Sequence, residues 1–167
     1  MATADDIARV QESWSWASGD LAGVGKVFYA TLFELEGSTK ELFANVEIEE
    51  VQALRLMQMV NTGVSLLDKP ETLLPVLEQL GQRHAGYGVV DAHYPVAEQA
   101  LLKTLVKLLG AKITPEIAES WRKVWAIIAE YMLKGTHSPT GQRLLKVWGK
   151  KGRRRPYLRH RWCVFRL

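Results

Sequence analysis

A length of 167 residues, 47% of them hydrophobic, suits one folded domain with a sizeable core and excludes wholesale disorder. The only cysteine, Cys163, excludes an intrachain disulfide, and no apolar run is long enough to span a bilayer. The net charge of +4 is unevenly spread: residues 1–130 hold all 18 acids and 11 Lys/Arg, a net of −7, whereas residues 131–167 hold 11 Lys/Arg and no acid.

The opening MATADDIARV meets acids at Asp5 and Asp6 before any apolar stretch, unlike a secretory leader. With the lone cysteine, this points to the cytoplasm. Residues 4–135 read as consecutive amphipathic helices. The first runs from about Asp5 to Ser18, with Ile7, Val10 and Trp14 on one stripe. The second runs from about Leu21 to Leu35, where Val24, Val27, Phe28 and Leu32 recur at helical spacing. Ser38 and Glu41 form a capping-box pattern, S-T-K-E, that opens a short helix carrying Leu42 and Phe43. A longer helix covers about 47–66. Asp68-Lys-Pro70-Glu71 starts another, which runs to about Ala85 and ends at Gly86 and Gly88. The next runs from about Tyr94 to Leu109. Thr114-Pro115-Glu116 starts the last, which carries Trp121, Val124, Trp125, Ile128 and Met132 and ends at Gly135. No convincing strand or internal repeat is present. The fold class is all-α with about seven helices, and the charge break divides the chain into a domain over 1–135 and a basic, flexible tail over 136–167. The tail begins with the turn-rich THSPTGQ, and Gly149, Gly152 and Pro156 argue against one long helix in it.

The chemistry concentrates in LGQRHAGYGVVDAHYPVAEQALLKTL, residues 80–105. His84 lies at the end of one helix, before a glycine-containing corner and a new helix. An imidazole so placed can ligate a metal between two helices, although a lone helical histidine is more often a surface or core residue. The neighbourhood decides between these. HAGYGVVDAHYP resembles the proximal histidine region of the globins, above all flavohaemoglobins and short bacterial single-domain globins. Its histidine, aromatic and tyrosine are His84, Tyr87 and Tyr94. FYATLF (28–33) and ELFANV (41–46) extend the resemblance, which covers residues 4–135 and stops before the tail.

That resemblance implies a globin fold sandwiching a haem, with His84 as iron ligand and haem b as cofactor, since no C-x-x-C-H attachment sequence occurs. It assigns the distal face to Gln52, 32 residues before His84, and to Tyr29, 14 residues before Phe43. Tyr29 with Gln52 is the distal pair of flavohaemoglobin-like globins, and Phe43 is the phenylalanine that packs flat on the haem. Arg55 and Leu56 cover the rest of the distal face. Phe43, Leu56, Leu80 and Val89 line a dry slot, and Arg83 and His93 approach the propionates. Dioxygen, NO and CO follow as ligands, with a phenol O–H and an amide N–H as donors to bound dioxygen.

Two departures qualify the pattern. The full flavohaemoglobin enzymes carry a reductase unit far longer than the 32 residues that follow Gly135, so an external reductase is implied. They also set a glutamate of the last helix against the proximal histidine and the tyrosine matching Tyr94. Here that position falls near 136–138, and no acid follows Glu130. The expected function is therefore high-affinity binding of oxygen, with oxygen transport as its class. The alternatives left open are a nitric oxide dioxygenase served by a separate reductase and a gas or redox sensor module. The tail's KKGRRRP suits nucleic acid, and its interleaved Trp148, Tyr157, Trp162 and Phe165 suit an anionic membrane; a plain solvated extension stands beside both.

Overall fold

The computed structural model of the chain describes residues 1–43 and 50–151. Seven α-helices carry the fold: α1 (Ala4–Ala17), α2 (Leu21–Leu35), α3 (Glu50–Ser65), α4 (Pro70–Gly86), α5 (His93–Leu109), α6 (Pro115–His137) and α7 (Pro139–Lys151). No strand occurs among the described residues. Segment 152–167 and residues 44–49, with the start of the helix predicted over 47–66, lie outside the described residues.

The count of seven is reached differently from the sequence expectation. The segment after α2 is not an α-helix but a 3₁₀ run over Gly37–Phe43. The capping box expected between Ser38 and Glu41 is replaced by one residue upstream: the Glu36 carboxylate accepts from the Ser38 N–H at 3.2 Å and from Ser38 Oγ at 2.8 Å. These two bonds hold the Glu36 carboxyl below the ordinary carboxylate range. A capping box that was not foreseen opens α1, where Thr3 and Asp6 bond each other's backbone N–H groups.

Asp6 also fastens α1 to α6. Its buried carboxylate accepts from Ser120 Oγ at 2.9 Å and Lys123 Nζ at 3.2 Å. Nearby, Trp121 Nε1 donates to Ser13 Oγ at 3.0 Å and Trp14 Nε1 to Asn61 Oδ1 at 2.9 Å, so α1 is tied to α3 as well. The bonds from Thr3 and Ser120 hold the Asp6 carboxyl far below the ordinary carboxylate range. A carboxylate so depressed stabilises the fold above its ordinary titration range, and that contribution is lost as pH falls through its folded value. Asp6→Asn should therefore lower the melting temperature at neutral pH. The gap to the unmodified protein should narrow in strong acid, as thermal melts across pH would record.

The described chain after Gly135 is helical as far as Lys151. Thr136 and His137 complete α6, and Ser138 caps α7 by accepting from the Gly141 N–H at 3.1 Å. α7 packs on α4 and on the end of α6: Gln142 Nε2 donates to the Thr136 carbonyl at 3.1 Å, and Leu144 lies beside Gly86. THSPTGQ is thus a tight helix–helix junction, and Gly149 lies within α7. Truncation after His137 should lower the melting temperature by several degrees, because burying an apolar side chain contributes about 1.5–3 kcal/mol and each kcal/mol moves a domain of this size by about 2–4 °C.

The helices pack in two groups. α2 packs on α3 and α5, while α4 packs on α6 and α7; α1 lies against α6 and α3. Val10, Trp14, Val24, Phe28, Met57, Leu105 and Trp121 belong to the main core, and Leu73, Leu77, Tyr94 and Met132 to a second core between α4, α5 and α6.

Candidate functional site

A cavity of about 200 Å³ opens between these groups, lined from α2, α3, α4, α5, α6 and the 3₁₀ run. Its lining is overwhelmingly apolar. His84 borders it from the last turn of α4. The helix stops there for a local reason: the Val89 N–H bonds the His84 carbonyl at 3.0 Å and the Gly88 N–H bonds the Ala85 carbonyl at 3.1 Å, a Schellman ending. Such an ending needs a left-handed residue, supplied by Gly88 at φ 85°. One local motif thereby sets His84 and Val89 on the same cavity wall.

His84 Nδ1 lies 2.9 Å from the Leu80 carbonyl oxygen. A carbonyl only accepts, so Nδ1 carries the proton and neutral His84 keeps its lone pair on Nε2. Burial pushes the His84 pKa below its ordinary value, with the Leu80 bond acting weakly the other way. The ring is thus held as neutral imidazole in one tautomer, the form a metal requires.

Tyr29 and Gln52 line the cavity from α2 and α3. Tyr29 is only 3% exposed, and burial raises its pKa, partly offset by a hydrogen bond with the Gln52 side chain. The phenol therefore stays protonated and able to donate. Phe43 packs edge-on to Tyr29 at 5.2 Å and to Phe33 at 5.8 Å, which joins the end of the 3₁₀ run to α2.

The structure brings together most of the predicted site residues: Tyr29, Phe43, Gln52, Leu56, His84, Val89 and Tyr94 all line the cavity. Two do not. Arg55 is exposed on α3, because it falls off the stripe Gln52–Leu56–Val60 that faces inward. The Leu80 side chain packs in the second core, and its contribution to the site is its carbonyl. Of the two residues expected at the propionates, His93 borders the cavity and Arg83 does not. The Val90 N–H donates to His93 Nδ1 at 3.1 Å, which leaves Nε2 as the ring's N–H donor when neutral. Sequence reasoning missed Phe28, Leu32, Leu101, Trp125 and Met132 as lining. For two of them helical spacing from a predicted site residue was available: Leu32 follows Tyr29 by three and Leu101 follows Tyr94 by seven.

The residues present fit a haem. No group of three or more His, Cys, Asp or Glu able to hold a metal occurs among the described residues. His84 offers one nitrogen ligand, and the apolar cavity suits a metal held within a macrocycle. Trp125 lines the same cavity with a buried Nε1–H that has no partner among the described residues. Such an orphan is costly unless something in the cavity meets it, and an aromatic face can accept an N–H weakly.

An all-helical domain with a half-buried, neutral histidine on one wall of an apolar slot has the architecture of a haem-binding protein. The globin family model matches residues 26–132, and the chain belongs to the globin family. Leghemoglobin of Medicago sativa is 30% identical over 142 residues, spanning 79% of this chain and 96% of the relative. An anaerobic nitrite reductase of Brassica napus is 27% identical over 150 residues, spanning 79% and 93%. A flavohemoprotein of Bacillus subtilis is 27% identical over 104 residues; that match spans 62% of this chain and only 26%, about a quarter, of the relative. Among solved structures, an engineered carbene transferase from Rhodothermus marinus has a TM-score of 0.71 at 20% identity, covering 89% of this chain and 99% of that one. A hexacoordinated heme protein from an anhydrobiotic tardigrade also reaches 0.71, at 22% identity, covering 80% and 94%. At these identities both show the fold alone.

Proposed function

We propose that the chain holds haem b without covalent attachment, with His84 as the iron ligand, and binds dioxygen, NO and CO, retaining dioxygen through Tyr29 and Gln52. The observation that carries this reading is the fixed tautomer of His84, a residue that borders an apolar cavity also lined by Tyr29 and Gln52. When bound, haem supplies an iron atom that takes a diatomic gas as ligand. The chain does the rest. The Leu80 carbonyl fixes the His84 ring. Phe43, Leu56 and Val89 keep water out. The Tyr29 O–H and the Gln52 amide offer hydrogen bonds to a ligand that gathers negative charge, as dioxygen does and CO does not. His93 Nε2 is the donor for a propionate.

A second reading, nitric oxide dioxygenase activity with a separate reductase, is favoured by the likeness to part of a flavohemoprotein. Optical spectra of the ferric, ferrous and oxygenated protein test the first reading. NO consumption with and without an added reductase separates the two: sustained turnover only with reductase supports the enzyme, and a single stoichiometric reaction supports binding.

A further inference from the structure

α4 and α6 cross at two glycines. A Cβ at Gly81 would run into the Met132 carbonyl, and one at Gly135 into the Glu78 carbonyl, so the two backbones touch. Buried beside this contact is the Thr136 hydroxyl, in a residue 2% exposed. Its oxygen lies 3.2 Å from the Gly81 carbonyl, 3.1 Å from the Met132 carbonyl and 3.3 Å from the Tyr94 hydroxyl. The proton arithmetic fixes the direction. Carbonyls only accept, so the Thr136 proton goes to them and the Tyr94 O–H donates to Thr136. A chain of bonds therefore runs from Tyr94 on α5, through Thr136 on α6, to the backbone of α4.

The residue just before Gly81 is Leu80, whose carbonyl takes the His84 Nδ1 proton. Two consecutive carbonyls of α4 thus hold the site: one receives the histidine ring, the other is gripped from α6. No acid follows Glu130, so no carboxylate on the end of α6 performs this task. We propose that Thr136 is a positioning residue for His84: its hydroxyl, backed by Tyr94, fixes the Leu80–Gly81 turn and with it the angle of the imidazole. The inference rests on His84 being the iron ligand. It adds that the orientation of His84 is set by a hydroxyl relay to the helix backbone, with neutral partners throughout. Outer partners of a ligating histidine commonly fix its ring and its strength as a ligand.

The test uses the full-length haem-loaded protein. Thr136→Val removes the hydroxyl at nearly constant shape, and Thr136→Ser keeps it. The readouts are the iron–histidine stretching band of the ferrous, ligand-free protein and the rate of haem transfer to an excess of a haem-free acceptor protein. Thr136→Val should shift and broaden the band and speed haem loss about ten-fold, the worth of roughly one hydrogen bond. Thr136→Ser should keep both at the wild-type values. If Thr136→Val does not fold, Tyr94→Phe breaks the relay from the α5 side and should shift the same band. A band at the wild-type position and width in the folded valine variant, or in Tyr94→Phe where that stands in, overturns the proposal, even if melting temperature falls. Absence of any iron–histidine band in the wild type instead overturns the assignment of His84 beneath it.

Discussion

His84→Ala should lose haem on purification, with an affinity drop larger than the roughly 10–100-fold that follows loss of a mere outer partner of a metal ligand. His84 is the only histidine on the α4 wall of the cavity. The other cavity histidine, His93, has its Nδ1 occupied by the Val90 N–H and sits at the start of α5. Tyr94 is bonded to Thr136. Neither His93 nor Tyr94 is therefore placed to take over with the same geometry. The substitution shortens a side chain at the edge of an existing cavity, so the fold itself should persist. Added imidazole should enter the space left and restore much of the haem binding. Haem content by absorbance, with and without imidazole, reads the result. A variant that retains full haem content and a wild-type proximal-histidine spectrum would mean another residue ligates the iron.

Tyr29→Phe should speed dioxygen release by roughly ten- to a hundred-fold, because a hydrogen bond to a charged group contributes about 1.5–3 kcal/mol and each 1.4 kcal/mol is a factor of about ten. Carbon monoxide carries much less negative charge when bound, so its release should change far less. That contrast separates loss of a donor from a loosened pocket. The ring of Tyr29 keeps its contacts with Phe28, Phe33 and Phe43 in the variant, which favours an unchanged pocket shape. Gln52→Leu should act in the same direction with a smaller effect, since a longer side chain loses more rotamer freedom when ordered. Tyr29 and Gln52 line one cavity and would donate to the same ligand, so the two changes should be non-additive. Stopped-flow release of both gases decides. A Tyr29→Phe rate within about two-fold of wild type would show that Tyr29 does not meet the ligand.

The helices were legible because their stripes and punctuation agree. Leu21–Leu35 has the predicted bounds, and Thr114-Pro115 starts α6 as expected, with Thr114 Oγ1 accepting from the Ile117 N–H at 3.4 Å. The end of α4 was legible from its glycines, although the pattern did not reveal that Gly88 alone takes the left-handed position. What the sequence hid depends on distant neighbours. Charge composition suggested a boundary at Gly135, yet the glycine is there because Glu78 of α4 touches it, and the helix runs on. Likewise, Arg55 sits next to Leu56 in the chain but 100° around the helix, and only the inward stripe of α3 reaches the cavity. With no acid in the last helix to meet it, Tyr94 reads in the sequence as a packing residue; the structure gives it the Thr136 hydroxyl as partner.

The claim on which the account stands is that this chain carries one haem on His84. The most direct measurement is a titration of the haem-free protein with haemin, followed by extraction of the product with acidified butanone and a pyridine haemochrome spectrum. Saturation at one haem per chain, a b-type spectrum and complete extraction into the organic layer are expected. Failure to saturate, saturation at a different ratio, or haem that stays with the protein after extraction would contradict that claim.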